Sequence, residues 1–193
     1  MSKITRFFDD MQQKKVAFIG TGVSHTELIS LFRDKGIAVT VLDKRSADKF
    51  QETYDMLSAK GVEFRLGEDY LDSLTDFDVV FRTPGMYFNN PALTKAREAG
   101  VVITSEMETF FDLCPCKIYA VTGSDGKSTS TTLIAEILAA SGKTVHKGGN
   151  IGRALLPIIE QISEDDAAVV ELSSFQLISM RKSPDTALIT NIT

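Results

Sequence analysis

The chain has 193 residues, 43% hydrophobic and 24% charged, a balance that supports a packed core and excludes disordered and fibrous classes. Its formal net charge of -5 comes from interspersed acids and bases, so it lacks the one-sided basic field on which nucleic-acid binding depends. No apolar run approaches the roughly 20 residues that span a bilayer, and charges interrupt the opening MSKITRFFDDMQQKK where a signal peptide needs an apolar stretch. A cytosolic protein with neither a membrane nor a nucleic-acid partner is expected.

In chain order, KVAFIG at residues 15–20 predicts a buried strand ending in glycine. A helical spacing through Leu28, Leu31 and Phe32 and a second strand at 38–42 complete a βαβ unit. A helix is expected over 47–60, then strands at 62–66 and 79–81, the second apolar enough to be buried on both faces. After the turn TPGM, Pro91 suits the first turn of a helix, and a strand at 101–104 and a helix at 106–112 follow. The proline-bearing break LCPCK at 113–117 divides the chain into domains over 1–113 and 114–193. The second domain is expected to place strands at 118–121, 144–147, 168–171 and 187–192, and helices at 127–140, 154–162 and 174–181.

Strict alternation of strand and helix implies doubly wound parallel α/β sheets. Parallel strands need both faces covered, and no helix follows the apolar segment LITNIT, so the chain is expected to stop inside its second domain. Such a domain exposes a sheet edge through which copies are expected to self-associate.

Cysteine and histidine chemistry offers little. Cys114 and Cys116 flank Pro115, and a C-x-C pair without nearby histidines supplies too few ligands for structural zinc. His25 and His146 lie far apart, and no Ser/His/Asp triad can be assembled around them.

The strongest local signal is YAVTGSDGKST at 119–129. An apolar strand runs into Gly123, Ser124, Asp125, Gly126, Lys127, Ser128 and Thr129, then into a helix carrying Leu133, Ile134, Ile137 and Leu138. Glycines let such a loop turn its backbone N–H groups inward, and the helix N-terminus adds positive potential. The lysine reaches the β- and γ-phosphates of a nucleotide, and the hydroxyl after it can ligate Mg²⁺. The spacing is more compact than G-x-x-x-x-G-K-[ST], with valine and threonine ahead of Gly123. The bland reading is a glycine turn capping a helix, with Lys127 solvated; strand, loop, lysine, hydroxyl and helix arriving in order favour the phosphate cradle.

A second loop, Gly20-Thr21-Gly22-Val23-Ser24-His25, comes close to the dinucleotide fingerprint G-x-G-x-x-G, and Asp43 ends the second strand where a ribose-binding acid belongs. His25 stands in place of the third glycine, where a side chain hinders close helix packing and approach of a pyrophosphate. An NAD(P)-dependent oxidoreductase therefore stays open as an alternative, as does a non-catalytic nucleotide-sugar binding module. Against the latter stand Lys127, Ser128 and Glu171, which a pure UDP binder does not need.

Compact loops of the form T-G-[TS]-[ND]-G-K-[ST]-T resemble those of the Mur ligases and folylpolyglutamate synthetase, which join a carboxylate to an amine at the expense of ATP. GGNIG at 148–152 and ELSSFQL at 171–177 are similar to motifs of the D-glutamate-adding Mur ligases, and TPGM and SEMETFF agree. The resemblance implies a Rossmann-like first domain that binds the UDP part of UDP-N-acetylmuramoyl-L-alanine. It also implies the first part of a P-loop-type central domain that binds ATP and Mg²⁺, with D-glutamate as the second substrate.

Carried over residue by residue, Lys127, Asn150 and Glu171 become catalytic, with Lys127 on the terminal phosphates and Ser128 and Glu171 holding Mg²⁺. Asn150, Ser173 and Gln176 would meet the muramoyl substrate. Gly22, Val23 and Ser24 would meet its diphosphate, Asp43 and Lys44 its uracil end, and Thr83, Pro84 and Gly85 would form the adjacent wall. The bland alternatives are a strand-end carboxylate for Asp43 and Glu171 and an N-cap hydroxyl for Ser173. The family's later segments complete its active site, so this polypeptide alone is expected to be inactive.

Overall fold

The computed structural model describes residues 1–192, apart from the side chains of Val23 and Ser24. Contacts group Met1–Glu106 into one compact unit and the chain from Met107 onward into another.

The first unit opens with a helix that the sequence reading did not anticipate. Helix α1 (Lys3–Gln12) starts at Ser2, whose side chain accepts from the Thr5 N–H, and it buries Phe8 and Met11. Then follow β1 (Val16–Ile19), α2 (Val23–Asp34), β2 (Val39–Asp43), α3 (Gln51–Ala59) and β3 (Glu63–Leu66). The unit continues with β4 (Val79–Phe81), α4 (Pro91–Glu98) and β5 (Val102–Thr104), and the five strands pair in parallel in the order β3-β2-β1-β4-β5.

Both faces of this sheet are covered, which is why its central strands read as unbroken apolar runs. On one face Phe18 of β1 stacks on Phe81 of β4 at 4.6 Å and meets Phe32 of α2 edge-on at 5.4 Å, while Phe8 of α1 closes on Phe32 at 5.8 Å. On the other, Ala17, Ile19, Leu42 and Val80 pack with Leu93 and Ala96 of α4. Burying each such Leu, Ile or Phe contributes about 1.5–3 kcal/mol.

One expected helix is broken. Residues 47–60 form a 3-10 turn (Ala47–Lys49) and then α3, because Phe50 between them leaves the helical region, with φ -151° and ψ 39°. Its ring lies under the Arg45 guanidinium at 4.8 Å and against Phe64, contacts that a continuous helix would withdraw.

Helix α5 (Glu106–Leu113) leads into the second unit, where β6 (Lys117–Thr122), α6 (Lys127–Ala140), β7 (Val145–Gly149), β8 (Ala167–Glu171), α7 (Ser174–Leu177) and β9 (Thr186–Ile189) follow. Its four strands are all parallel, in the order β7-β8-β6-β9. The structure corrects four details here. The expected helix at 154–162 is a 3-10 turn (Leu156–Gln161), since a bridge between Gly148 and Arg153 holds the preceding chain beside β7 and a turn at Ser163–Asp166 follows. Helix α7 ends at Leu177 rather than near 181; an i→i+3 bond from Met180 N–H to the Leu177 carbonyl takes over, and Pro184 disfavours helix just beyond. The expected apolar face of α6 is turned outward at Leu133 and Ile137, and the small Thr131 and Ala135 are buried instead. Strand β9, expected to be buried, is exposed along its length as the sheet edge.

No helix among the described residues is long and apolar enough to cross a membrane.

Candidate phosphate-binding site

Register explains why the second unit's chemistry gathers at one place. Val121 of β6 and Gly149 of β7 both pair with Glu171 of β8, and Thr122 pairs with Ile189 of β9. The loops that leave these four strands therefore meet at the carboxyl edge of the sheet, where ligands of open α/β sheets bind.

The loop after β6 is the predicted cradle. Gly126 is the N-cap of α6 in the left-handed conformation, φ 75°, and no side chain caps the helix's first turn. The N-terminal N–H groups of α6 thus face the loop as a ready anion site. Lys127 Nζ donates to the carbonyls of Gly123 and Ser124, each at 2.8 Å, holding the ammonium across the loop mouth.

Beside it stands Glu171, 1% exposed. One of its oxygens accepts from Ser128 Oγ at 2.7 Å and the other from Asn150 Nδ2 at 2.9 Å. Both of these partners are neutral, and the hydroxyl and carboxylate oxygens side by side form a donor set, Ser128 with Glu171, that fits a hard divalent ion preferring oxygen ligands. Asn150 is delivered there by the two glycines before it. A Cβ on Gly149 (φ 103°) would lie 2.2 Å from the Glu171 carbonyl, and that same carbonyl accepts the Asn150 N–H at 2.8 Å. Gly123, Lys127, Asn150, Ser173, Phe175 and Asn191 line a cleft of about 670 Å³ in this unit.

Ser173 and Gln176 are placed by a different logic. Ser173 is the N-cap of α7, its hydroxyl accepting from the Gln176 N–H, while Gln176 Oε1 accepts from the Ser173 N–H at 2.9 Å. This reciprocal capping box realises the bland reading of Ser173 and occupies the Gln176 carboxamide, which is 6% exposed. Ser173 nonetheless borders the cleft.

In the first unit the predicted residues also lie at a carboxyl edge. Gly22 caps α2, and Asp43 ends β2. The proposed contacts of Val23 and Ser24 lie outside the described residues, since their side chains are not described. Asp43 is buried and clamped by Arg45, a residue the sequence reading passed over: Nε donates to Oδ1 at 3.0 Å and Nη2 to Oδ2 at 2.6 Å, while Nη2 also reaches Thr21 Oγ1 at 3.0 Å. Burial pushes the Asp43 carboxyl up, but the Arg45 hydrogen bonds and charge, with a backbone bond from Thr21, outweigh it and hold it below the usual carboxylate range. Lys44 pairs with Glu68 at 3.1 Å in solvent. Thr83 and Pro84 are half-buried and Gly85 is exposed in the turn after β4, where the Thr83 carbonyl accepts from the Met86 N–H at 3.1 Å. Arg82 just before them is 1% exposed, its guanidinium donating to the Met86 carbonyl at 3.2 Å.

His25 fills the space that a third glycine would leave open. It is 1% exposed, meets the Phe18 ring edge-on at 5.3 Å, and places Nδ1 3.1 Å from the Gly20 carbonyl. Burial lowers its pKa more than its backbone partners raise it, so the neutral ring is favoured.

Fold and loop together define an α/β chain of two parallel sheets, the second bearing a P-loop-type cradle with lysine, hydroxyl and carboxylate converging. Comparison with known proteins carries this further. Residues 14–105 match the N-terminal domain model described as "Mur ligase MurD-like", and residues 121–193 match the Mur ligase middle domain. The chain is 51% identical over 179 residues to the UDP-N-acetylmuramoylalanine--D-glutamate ligase of Clostridium tetani, covering 93% of this chain and 39% of that one. It is 48% identical over 191 residues to the enzyme of the same name from Acetivibrio thermocellus, covering 99% and 41%. Among solved structures, a UDP-N-acetylmuramate:L-alanyl-gamma-D-glutamyl-meso-diaminopimelate ligase from Neisseria meningitides shares the fold with TM-score 0.55 at 19% identity, over 93% of this chain and 61% of that one. A UDP-N-acetylmuramate-alanine ligase from Thermotoga maritima does so with TM-score 0.51 at 23%, over 93% and 41%. The chain belongs to the Mur ligase family. The oxidoreductase reading of the first glycine turn gives way to this. The chain spans about two fifths of the length of the curated relatives it matches.

Proposed function

We propose that this chain supplies the UDP-substrate domain, residues 1–113, and the first part of the ATP-binding domain, 114–193, of a cytoplasmic ligase that adds D-glutamate to UDP-N-acetylmuramoyl-L-alanine. The observation that carries the reading is the convergence of Lys127, Ser128, Glu171 and Asn150 around one loop, in a chain 48–51% identical to ligases of that name.

The chemistry needs these residue types. The muramoyl-alanine carboxylate attacks the γ-phosphoryl group of ATP to give an acyl phosphate and ADP; the amine of D-glutamate then attacks that carbonyl and phosphate leaves. Two anions must first be brought together, so Lys127 and the α6 N-terminus lower the repulsion between them. Ser128 and Glu171 would hold Mg²⁺, which when bound neutralises phosphate charge as it builds on the leaving oxygen. Asn150, fixed by Glu171, orients the substrate side. In the first unit, Gly22 at the start of α2 and the Asp43–Lys44 strand end offer a donor-rich turn and a polar wall for the UDP moiety.

The partners that follow are ATP, Mg²⁺, UDP-N-acetylmuramoyl-L-alanine and D-glutamate. A second copy of the chain is a further one, because the exposed edge strand β9 presents Leu188 and Ile189 to solvent. A monomer by light scattering at high concentration would remove that last partner.

Calorimetric titration tests the main reading. The chain should bind UDP-N-acetylmuramoyl-L-alanine in preference to UDP-N-acetylglucosamine, should bind ATP only with Mg²⁺ present, and should ignore NADH. Heat from NADH alone would overturn the reading.

A further inference from the structure

Beyond β9 the chain returns over the phosphate loop, and two residues there grip it. Oδ1 of Asn191 accepts from the Ser124 and Asp125 N–H groups, each at 2.9 Å, and the Asn191 carbonyl takes a second, longer bond from Ser124 N–H at 3.2 Å. Thr190 donates its hydroxyl to the Asp125 carbonyl at 2.5 Å, while its own N–H extends the β6·β9 ladder to the Thr122 carbonyl at 2.9 Å. The fit is tight. A Cβ on Gly123 would fall 2.1 Å from Thr190 Oγ1 and 2.9 Å from the Asn191 carbonyl, so only glycine lets the strap pass.

We propose that Asn191 is a positioning residue for nucleotide phosphates, an inference that rests on the ATP-binding reading above. Its carboxamide fixes the first half of the loop, Ser124 and Asp125, and so leaves the uncapped first turn of α6 as the part that meets phosphate. A glycine-bearing loop left loose would lose backbone freedom at the moment of binding; held in shape beforehand, it loses little. The opposite arrangement has Oδ1 standing where a phosphate oxygen belongs and leaving when nucleotide arrives. The ladder bond at Thr190, which ties the strap to the sheet, and the second bond at the Asn191 carbonyl, which ties it to the loop, argue against it, since both hold the backbone of the strap in place independently of the carboxamide.

The two arrangements give opposite signs on one substitution. In the unaltered chain, Asn191→Ala and Asn191→Asp, amide exchange is measured at Ser124 and Asp125 without nucleotide, and Mg²⁺–ATP affinity by calorimetry. Asn191→Ala is expected to lose protection at Asp125 and, to a smaller extent, at Ser124, whose N–H keeps the backbone carbonyl of residue 191, and to bind ATP about tenfold more weakly, since two hydrogen bonds to a working loop are removed. Asn191→Asp keeps the accepting oxygen and is expected to restore the protection. Thr190→Val removes one grip and leaves Asn191 in place; a loss of about threefold in ATP affinity keeps the test usable should the alanine variant unfold. Unchanged or tighter ATP binding by Asn191→Ala overturns the proposal. An unaltered chain that binds no ATP sinks the nucleotide reading itself, and that failure is distinguishable because it does not depend on any variant.

Discussion

The two units set the same local plan at the carboxyl edge of their sheets, a strand, a glycine turn and a helix, and equip it differently. In the second, the helix after the β6 turn begins with a lysine followed by a hydroxyl, and the neighbouring strand ends in a buried glutamate bound by that hydroxyl. In the first, the turn after β1 has no cation of its own, the helix buries a neutral histidine in its first turn, and the neighbouring strand ends in an aspartate already clamped by Arg45. A helix N-terminus attracts an anion in either setting. Only the second adds a lysine ammonium held across the loop mouth and a buried carboxylate beside a hydroxyl, the residue types on which the proposed phosphoryl transfer depends.

The sharpest way to break this comparison is Lys127→Ala. Charge-assisted bonds to phosphate contribute about 1.5–3 kcal/mol each, so ATP affinity is expected to fall roughly a hundredfold or more. Because the first unit has its own loop and its own core, UDP-N-acetylmuramoyl-L-alanine should bind as before. Equal losses for both ligands by calorimetry would mean that the two loops do not divide the work between them.

How much of this was legible depends on how far apart in sequence each feature is specified. Strands β1, β4 and β8 are buried along their whole length and could be read directly from VAFI, VVF and AAVVE. The loop at 123–129 and helix α6 were equally plain, because strand, glycine, lysine and hydroxyl are consecutive. Helix α1 was missed because KITRFFDDMQ has few apolar positions; it is held by a serine cap and by Phe8 packing on Phe32, a contact across 24 residues. The Asp43–Arg45 clamp lay two residues apart and had a visible signal, an arginine just past a strand-end acid, but its strength comes from burial that only the fold supplies. Asn191 meets its partners across 66 and 67 residues, and nothing in LITNIT marks it as a loop residue. Glu171 and Asn150 were recognised through motif resemblance; their direct hydrogen bond depends on the register of β7 against β8, which a linear pattern does not contain.

A smaller effect separates the two turns from the side of stability. His25 is enclosed by Phe18 and by backbone from β1 and β4, and its burial disfavours the imidazolium. Carbonyls of Gly20, Ile19 and Arg82 favour the charged ring, but less than burial opposes it, so the folded pKa lies below the unfolded value of about 6.5. Between those two values the unfolded chain binds more protons than the folded one. Stability is then fully present above about pH 6.5 and declines as pH falls through the folded pKa, by at most about 1.4 kcal/mol per pH unit. His25→Gln removes the titrating group at a cost in packing against Phe18, so it should be less stable at pH 7.5 and should lose less on acidification to pH 5.5. Urea midpoints of both proteins at the two pH values measure this, and parallel losses would show that the buried histidine contributes nothing to the acid sensitivity of the first turn.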